Sequence, residues 1–478
     1  MQQQQIGTAG DVAVEQSITA GAGAESPAAR TPRSIFLFWA PLAVQWLMMA
    51  AEGPFLAAVI ARMGDAAVNL AAYGVAVAFA ILTESPVIML MSAATALVED
   101  AESYRRLRNF AYALNLGATS LVLLVLVPPV FHALTGVLGL PGPVASRVYG
   151  SLAFLLPWPA AIGYRRFLHG ILIRSGRTRL VAYGTVLRLS GMAATALLLY
   201  HVFPLPGAWV GAIALSAGVV IEAMAARFMA AEEVARLSGA AGKARRRWGV
   251  WPRWPGRAAV AGYGDIARFY FPLALTSLIG LTVQPMLTFF MGRAPSPLES
   301  LAVFPVVHAL SFLFRAPGLA FQEVVIALAG KRFEHLAPLR SFGIGLGLAV
   351  SAGLALVTLT PLAGFWFDVV SGLPPELATR AVGPAMLSVP LPALTVLLAF
   401  QLGILVQSRR TRAVTGASLL EVVGIAALFT LAGWRFGLFG ASAAMIGLVG
   451  GRVIANGYLW TRVRRVLVAS ARPISFPS

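Results

Sequence analysis

The sequence predicts an all-α integral membrane protein whose twelve transmembrane helices form two parallel six-helix lobes. Three observations predict it. Of 478 residues, 58% are hydrophobic and only 12% are charged, whereas a soluble domain carries about 25% charged residues. Twelve stretches approach the ~20 apolar residues that a spanning helix needs. Finally, the first six stretches align on the last six at a nearly constant offset.

In chain order the predicted segments are 35–60, 68–97, 110–131, 148–173, 179–201 and 208–230, then 266–291, 299–329, 341–367, 381–406, 412–434 and 437–461. Residues 1–30 are rich in Gln, Ala and Gly and lack the basic and apolar regions of a signal peptide, so they read as a disordered tail. The organisation expected is a cytoplasmic tail over 1–33, a first lobe over 34–230, a cytoplasmic loop over 231–265, a second lobe over 266–465 and a cytoplasmic tail over 466–478. The long loop interleaves Lys243, Arg245, Arg246, Arg247, Arg253 and Arg257 with Trp248, Trp251 and Trp254. A run of this kind lies on anionic headgroups, since bilayers select Trp and Arg at the interface; binding of nucleic acid is not expected.

Orientation follows from Lys and Arg. With both termini cytoplasmic, inner loops and tails hold 27 of the 37 basic residues and the outer side holds five, among them Arg62 and Arg293. The formal charge of +18 is therefore topogenic. There is no cysteine, which excludes thiol catalysis, and the five histidines form no metal-binding pair. No cofactor, no metal and no GxxxxGK[ST] phosphate loop are expected, and no clustered set of catalytic side chains argues for an enzyme.

The repeat is explicit. FWAPLA (Phe38–Ala43) matches FYFPLA (Phe269–Ala274) at an offset of 231, which also pairs Pro54 with Pro285, Arg62 with Arg293 and Pro86 with Pro317. At an offset of 233, PWP (Pro157–Pro159) matches PLP (Pro390–Pro392), and GILIRSGRTR (Gly170–Arg179) matches GILVQSRRTR (Gly403–Arg412). Six helices per half is an even number, so both halves share one orientation, an arrangement found among secondary transporters with sites near the midplane. The aligned prolines predict bent helices in both halves.

FWAPLA with LAAYGVA (Leu70–Ala76), RFYFPLAL (Arg268–Leu275) and HGILI (His169–Ile173) before a basic loop resemble the progressive ankylosis protein family. That family lies within the multidrug/oligosaccharidyl-lipid/polysaccharide exporter superfamily, with the multidrug and toxin extrusion transporters. The resemblance spans roughly 34–465 and implies two lobes in a V around a central cavity, with rocker-type alternating access. It also implies a secondary active exporter of small organic anions in the plasma membrane. Ion-coupled efflux of drugs or organic cations is the first alternative, and a lipid-linked flippase is the second. A monomer is expected.

Intramembrane charges are costly, so they face the protein interior and pair. FPVVHALSFLFRAPGLAFQE (Phe304–Glu323) sets His308, Ser311, Arg315 and Gln322 on one side of a helix, with Glu323 alongside. Glu84 aligns with Arg315, and Arg188 aligns with Glu421, each with the sign exchanged. Two ion pairs are expected from this, Glu84–Arg188 and Arg315–Glu421. Glu222 and Arg452, at neighbouring aligned sites, are expected to pair across the lobes. Arg165, Arg166 and His169 have no charged counterparts in the second half and are candidate substrate contacts, snorkelling to headgroups being the alternative. Substrate contact is also the candidate role of Arg315, His308, Ser311, Gln322 and Glu323. Glu52, beside Gly53-Pro54, and Glu84 are candidates for a coupling proton or sodium ion.

Overall fold

The computed structural model describes residues 31–238, 262–330, 333–408 and 410–470. Most of the N-terminal tail, residues 239–261 of the basic aromatic loop and residues 471–478 lie outside the described residues. All twelve predicted segments are helical. The first is α1 (Pro32–Ala61). The second breaks into α2 (Ala66–Glu84) and α3 (Leu90–Leu97). The third is α4 (Ala101–Val125), followed after Val127 by α5 (Pro128–Leu138), bent by 77°. The fourth comprises α6 (Gly142–Phe154) and α7 (Trp158–Arg174). Then come α8 (Thr178–Val202), α9 (Gly207–Met229) and a short α10 (Ala231–Leu237).

The second half follows the same order. It runs through α11 (Tyr263–Leu281), α12 (Val283–Met291), α13 (Pro297–Leu328) and α14 (Leu336–Leu359). A single turn, α15 (Leu362–Gly364), passes into a π-helical turn over Phe365–Val370. The chain ends in α16 (Pro375–Leu387), α17 (Leu391–Gln407), α18 (Thr411–Phe429) and α19 (Gly440–Ser470).

Among the described residues, nine helices are long and apolar enough to cross a membrane, or ten if the bent pair at α4 and α5 is one span. The two predicted segments outside that count are the fourth and the twelfth. The fourth carries Arg165 and Arg166 within the span, and the twelfth carries Arg452. The fourth is also divided into helices of 13 and 17 residues. Large apolar side chains such as Leu116, Phe228, Phe271 and Leu348 stand 66–80% exposed, as expected of faces turned to lipid.

Proline punctuates equivalent places. The peptide N–H of Trp158 donates to Leu155 O at 3.0 Å, and that of Leu391 donates to Ser388 O at 2.9 Å, so both aligned Xaa-Pro sites break their helices in one way. Pro86 breaks the second segment, whereas its counterpart Pro317 sits inside the continuous α13. Asp65 (φ 54°) and Ser296 (φ 51°), 231 residues apart, both adopt the left-handed conformation just ahead of equivalent helices. Four residues on, Asn69 Nδ2 donates to Gly64 O at 2.6 Å, and Ser300 Oγ lies 3.3 Å from Pro295 O. The repeat therefore extends to loop geometry.

Helix contact is also repeated. A Cβ at Gly170 would stand 2.5 Å from Ala94 Cβ and from Met91 O, and one at Gly403 would stand 2.6 Å from Val325 Cγ1. Only glycine admits this approach of α7 to α3 and of α17 to α13. Beyond the glycine, Arg174 Nη1 donates to Thr95 O and its aligned residue Gln407 donates through Nε2 to Gly330 O, both at 2.8 Å.

By contact, the chain divides into two compact units. Of the described residues, the first contains 75–137, 146–238 and 262–285; the second contains 31–74, 138–145 and those from 286 to 470. This is a different division from the sequence halves, because each half contributes its first helix to the other unit. In the second unit, Ile35 of α1 joins a core with Phe321, Val324, Val396 and Leu459, and Trp39 Nε1 donates to Pro317 O at 2.9 Å. In the first unit, Tyr270 of α11 donates its hydroxyl to Pro86 O. Trp39 and Tyr270 are repeat partners, as are Pro317 and Pro86. The exchange of helices is thus itself symmetric.

Candidate functional site

In the first unit, α7 presents Arg165 and His169 one helical turn apart on one face. That face meets α9, where Glu222 is wholly buried. Arg165 Nη1 pairs with Glu222 Oε2. Arg188 of α8 brings Nε within 3.4 Å of the same oxygen, and His169 Nε2 lies 4.0 Å from Oε1. Arg165 is 8% exposed and His169 4%, so neither snorkels to the headgroups. Arg166, on the adjoining face, is half-buried and makes no ion pair within 4.0 Å among the described residues.

Glu84, the last residue of α2, accepts a hydrogen bond from Trp158 Nε1 at 2.7 Å. Three guanidiniums thus face two carboxylates, with one positive charge in excess. The Nε atoms of Arg165 and Arg166 and the Oε1 atom of Glu222 are buried without a hydrogen-bond partner. Groups of this kind in a low-dielectric span call for a ligand or water. The arrangement can hold an anion.

The second unit holds a separate set. Glu421 of α18 pairs with Arg452 of α19 at 2.8 Å. Arg315 donates through Nε to Thr395 Oγ1 at 3.2 Å and lies 6.0 Å from the centre of the Phe312 ring. His308 sits between Phe304 and Phe312, with ring centres 5.5 and 6.4 Å away. Ser311 is fully buried and its hydroxyl has no hydrogen-bond partner. Gln322 and Glu323 are half-buried further along α13, and Glu52 is half-buried on α1. A Cβ on neighbouring Gly53 would lie 3.0 Å from Ala309 Cβ, so α1 and α13 pack with their backbones close.

Both expected ion pairs are corrected. Glu84 bonds Trp158 rather than Arg188, and Glu421 pairs with Arg452 rather than Arg315. Glu222 and Arg452 each find a partner within their own unit, not each other. The exchanged signs were real, but for Arg188 and Glu421 the charged partner lies on the next helix in sequence. In each half the two final helices pack along their lengths, so the charge on one reaches the charge on the next. The structure brings Arg165, His169 and Arg188 together around Glu222, while His308, Ser311, Arg315, Gln322 and Glu323 share α13 in the other unit.

Three participants escaped sequence reasoning: Glu222 as the hub, Trp158 as the partner of Glu84, and Thr395 as the partner of Arg315. A signal for Trp158 was present, since PWP and PLP differ only at that position.

No family profile and no curated protein sequence matches the chain. Solved structures do. A multidrug resistance MATE family transporter of the MOP superfamily in its inward-facing conformation superposes with a TM-score of 0.66 at 16% identity, over 96% of this chain and 99% of that one. A mutant of the Vibrio cholerae MATE transporter VcmN gives 0.57 at 14% identity, over 96% and 98%. A MOP superfamily transporter from Pyrococcus furiosus gives 0.56 at 14% identity, over 93% and 98%. The chain has the fold of these transporters, a fold of twelve helices in two six-helix lobes.

Proposed function

We propose that this protein is a secondary transporter that exports small organic anions by alternating access of its two six-helix lobes. The observation that carries the reading is the guanidinium excess around Glu222, with buried Nε atoms of Arg165 and Arg166 that have no hydrogen-bond partner. The fold supports alternating access, since its solved relatives include inward- and outward-facing forms. One relative is described as having a binding pocket of reverse polarity that suggests a different function. Pocket charge therefore varies on this scaffold, and here the first unit is basic. Coupling to a proton or sodium ion through Glu52, membership of the progressive ankylosis type, a monomeric state and a plasma-membrane location with cytoplasmic termini belong to the same proposal.

Efflux of organic cations is the second reading. It is favoured by the multidrug description of several structural relatives and by the acids Glu52 and Glu323 in the second unit. The two readings separate in liposomes. Purified protein is expected to move citrate or ATP and leave a cationic dye in place, and Arg166→Gln is expected to slow anion flux about tenfold, the loss of one charge-assisted contact. Dye movement with both anions inert would contradict the proposal.

A further inference from the structure

We infer that Glu222 is an internal ligand seated in the anion site, and that a transported carboxylate or phosphate group binds by displacing it from Arg165 and Arg188. The inference rests on the anion reading above.

A structural strut would be matched and saturated. Glu222 is neither. One carboxylate faces two guanidiniums from two helices, and both converge on Oε2 while Oε1 has no hydrogen-bond partner. Arg165 keeps a buried Nε with no hydrogen-bond partner, and a planar oxyanion with two or three free oxygens suits it better than a single carboxylate oxygen. Beside the pair, α8 carries glycine. A Cβ at Gly184 would stand 3.5 Å from both Glu222 Cγ and His169 Nε2. The bare backbone there leaves the carboxylate room to swing aside.

Displacement fixes the proton balance. Glu222 has no solvent exposure, and a buried carboxylate that loses its counter-charges is strongly destabilised. It takes up one proton as the incoming anion takes its seat. The groups around it are Arg165, Arg166 and His169 on α7, Arg188 on α8 and Glu84 on α2. Anion and proton then cross together, so an anion leaving down its own gradient takes a proton out with it.

Wild-type protein in weak buffer, at a mildly alkaline pH where citrate has no exchangeable proton, provides the test. Citrate addition is expected to withdraw about one proton per anion bound, and affinity is expected to fall about tenfold per pH unit. Glu222→Gln is expected to bind citrate with no proton uptake and no pH slope. Citrate binding to wild type without proton uptake would overturn the displacement while leaving the anion reading intact. If neither citrate nor ATP binds wild type or Glu222→Gln, with the folded state of each verified by thermal melting, both readings fall.

Discussion

Glu421 and Arg452 make the cleaner of the two intramembrane pairings, at 2.8 Å with both side chains largely shielded. Removing one partner of such a pair costs about 3–5 kcal/mol, because the other charge is left unmatched. Glu421→Gln and Arg452→Gln are each expected to lower thermal stability by that order, and the double mutant to recover most of the loss. Arg315→Gln combined with Glu421→Gln is expected to be nearly additive, since Arg315 bonds Thr395 instead. A strong Arg315–Glu421 coupling energy, with Arg452 uncoupled, would reverse this assignment. Residue types and their burial in the span were legible in the sequence. Partner identity was not. Aligning the halves shows which positions are equivalent, but pairing depends on which helices touch, and that information is absent from a one-dimensional offset.

At the scale of elements, the break at Pro86 and the continuity at Pro317 make opposite demands on one hydrogen bond. In α13 the Pro317 carbonyl retains the helical donor four residues on. After Pro86 the N–H of Leu90 goes to Val87 O instead, at 3.1 Å, so Tyr270 supplies the donor that the Pro86 carbonyl lacks. Tyr270→Phe is therefore expected to cost about 1–3 kcal/mol, the penalty for an unsatisfied buried acceptor. Trp39→Phe should cost about 0.5–1.5 kcal/mol, since it removes only a second bond from a carbonyl already served. Thermal melts of the two variants check the order; equal losses would mean that the break is not what makes Tyr270 necessary. The prolines predicted bends in both halves, and the structure adds that the same residue breaks one helix and not its copy. Tertiary contact decides between those outcomes, so no local signal could have separated them.

At the scale of the whole molecule, the sequence carried the twelve segments and their repeat because hydrophobic length and periodicity are written into composition. It did not carry the exchange of the first helices. α1 and α11 have the apolar character of any spanning helix, and nothing in that character names the unit they join. The distribution of 27 basic residues to the inner side against five to the outer predicts cytoplasmic termini. The absence of native cysteine allows a direct check. With an impermeant thiol reagent on intact cells, Arg293→Cys is expected to react and Lys243→Cys to be protected; the reverse pattern would invert the topology.

The central claim, an alternating-access carrier of anions, is tested most directly by exchange. Proteoliposomes loaded with labelled citrate should release it slowly into plain buffer and several times faster when unlabelled citrate is added outside, because each inward-moving anion returns the carrier. A cationic dye outside should have no effect, and Arg165→Gln should abolish the acceleration. Citrate release indifferent to external citrate, or accelerated by the dye, would contradict the account.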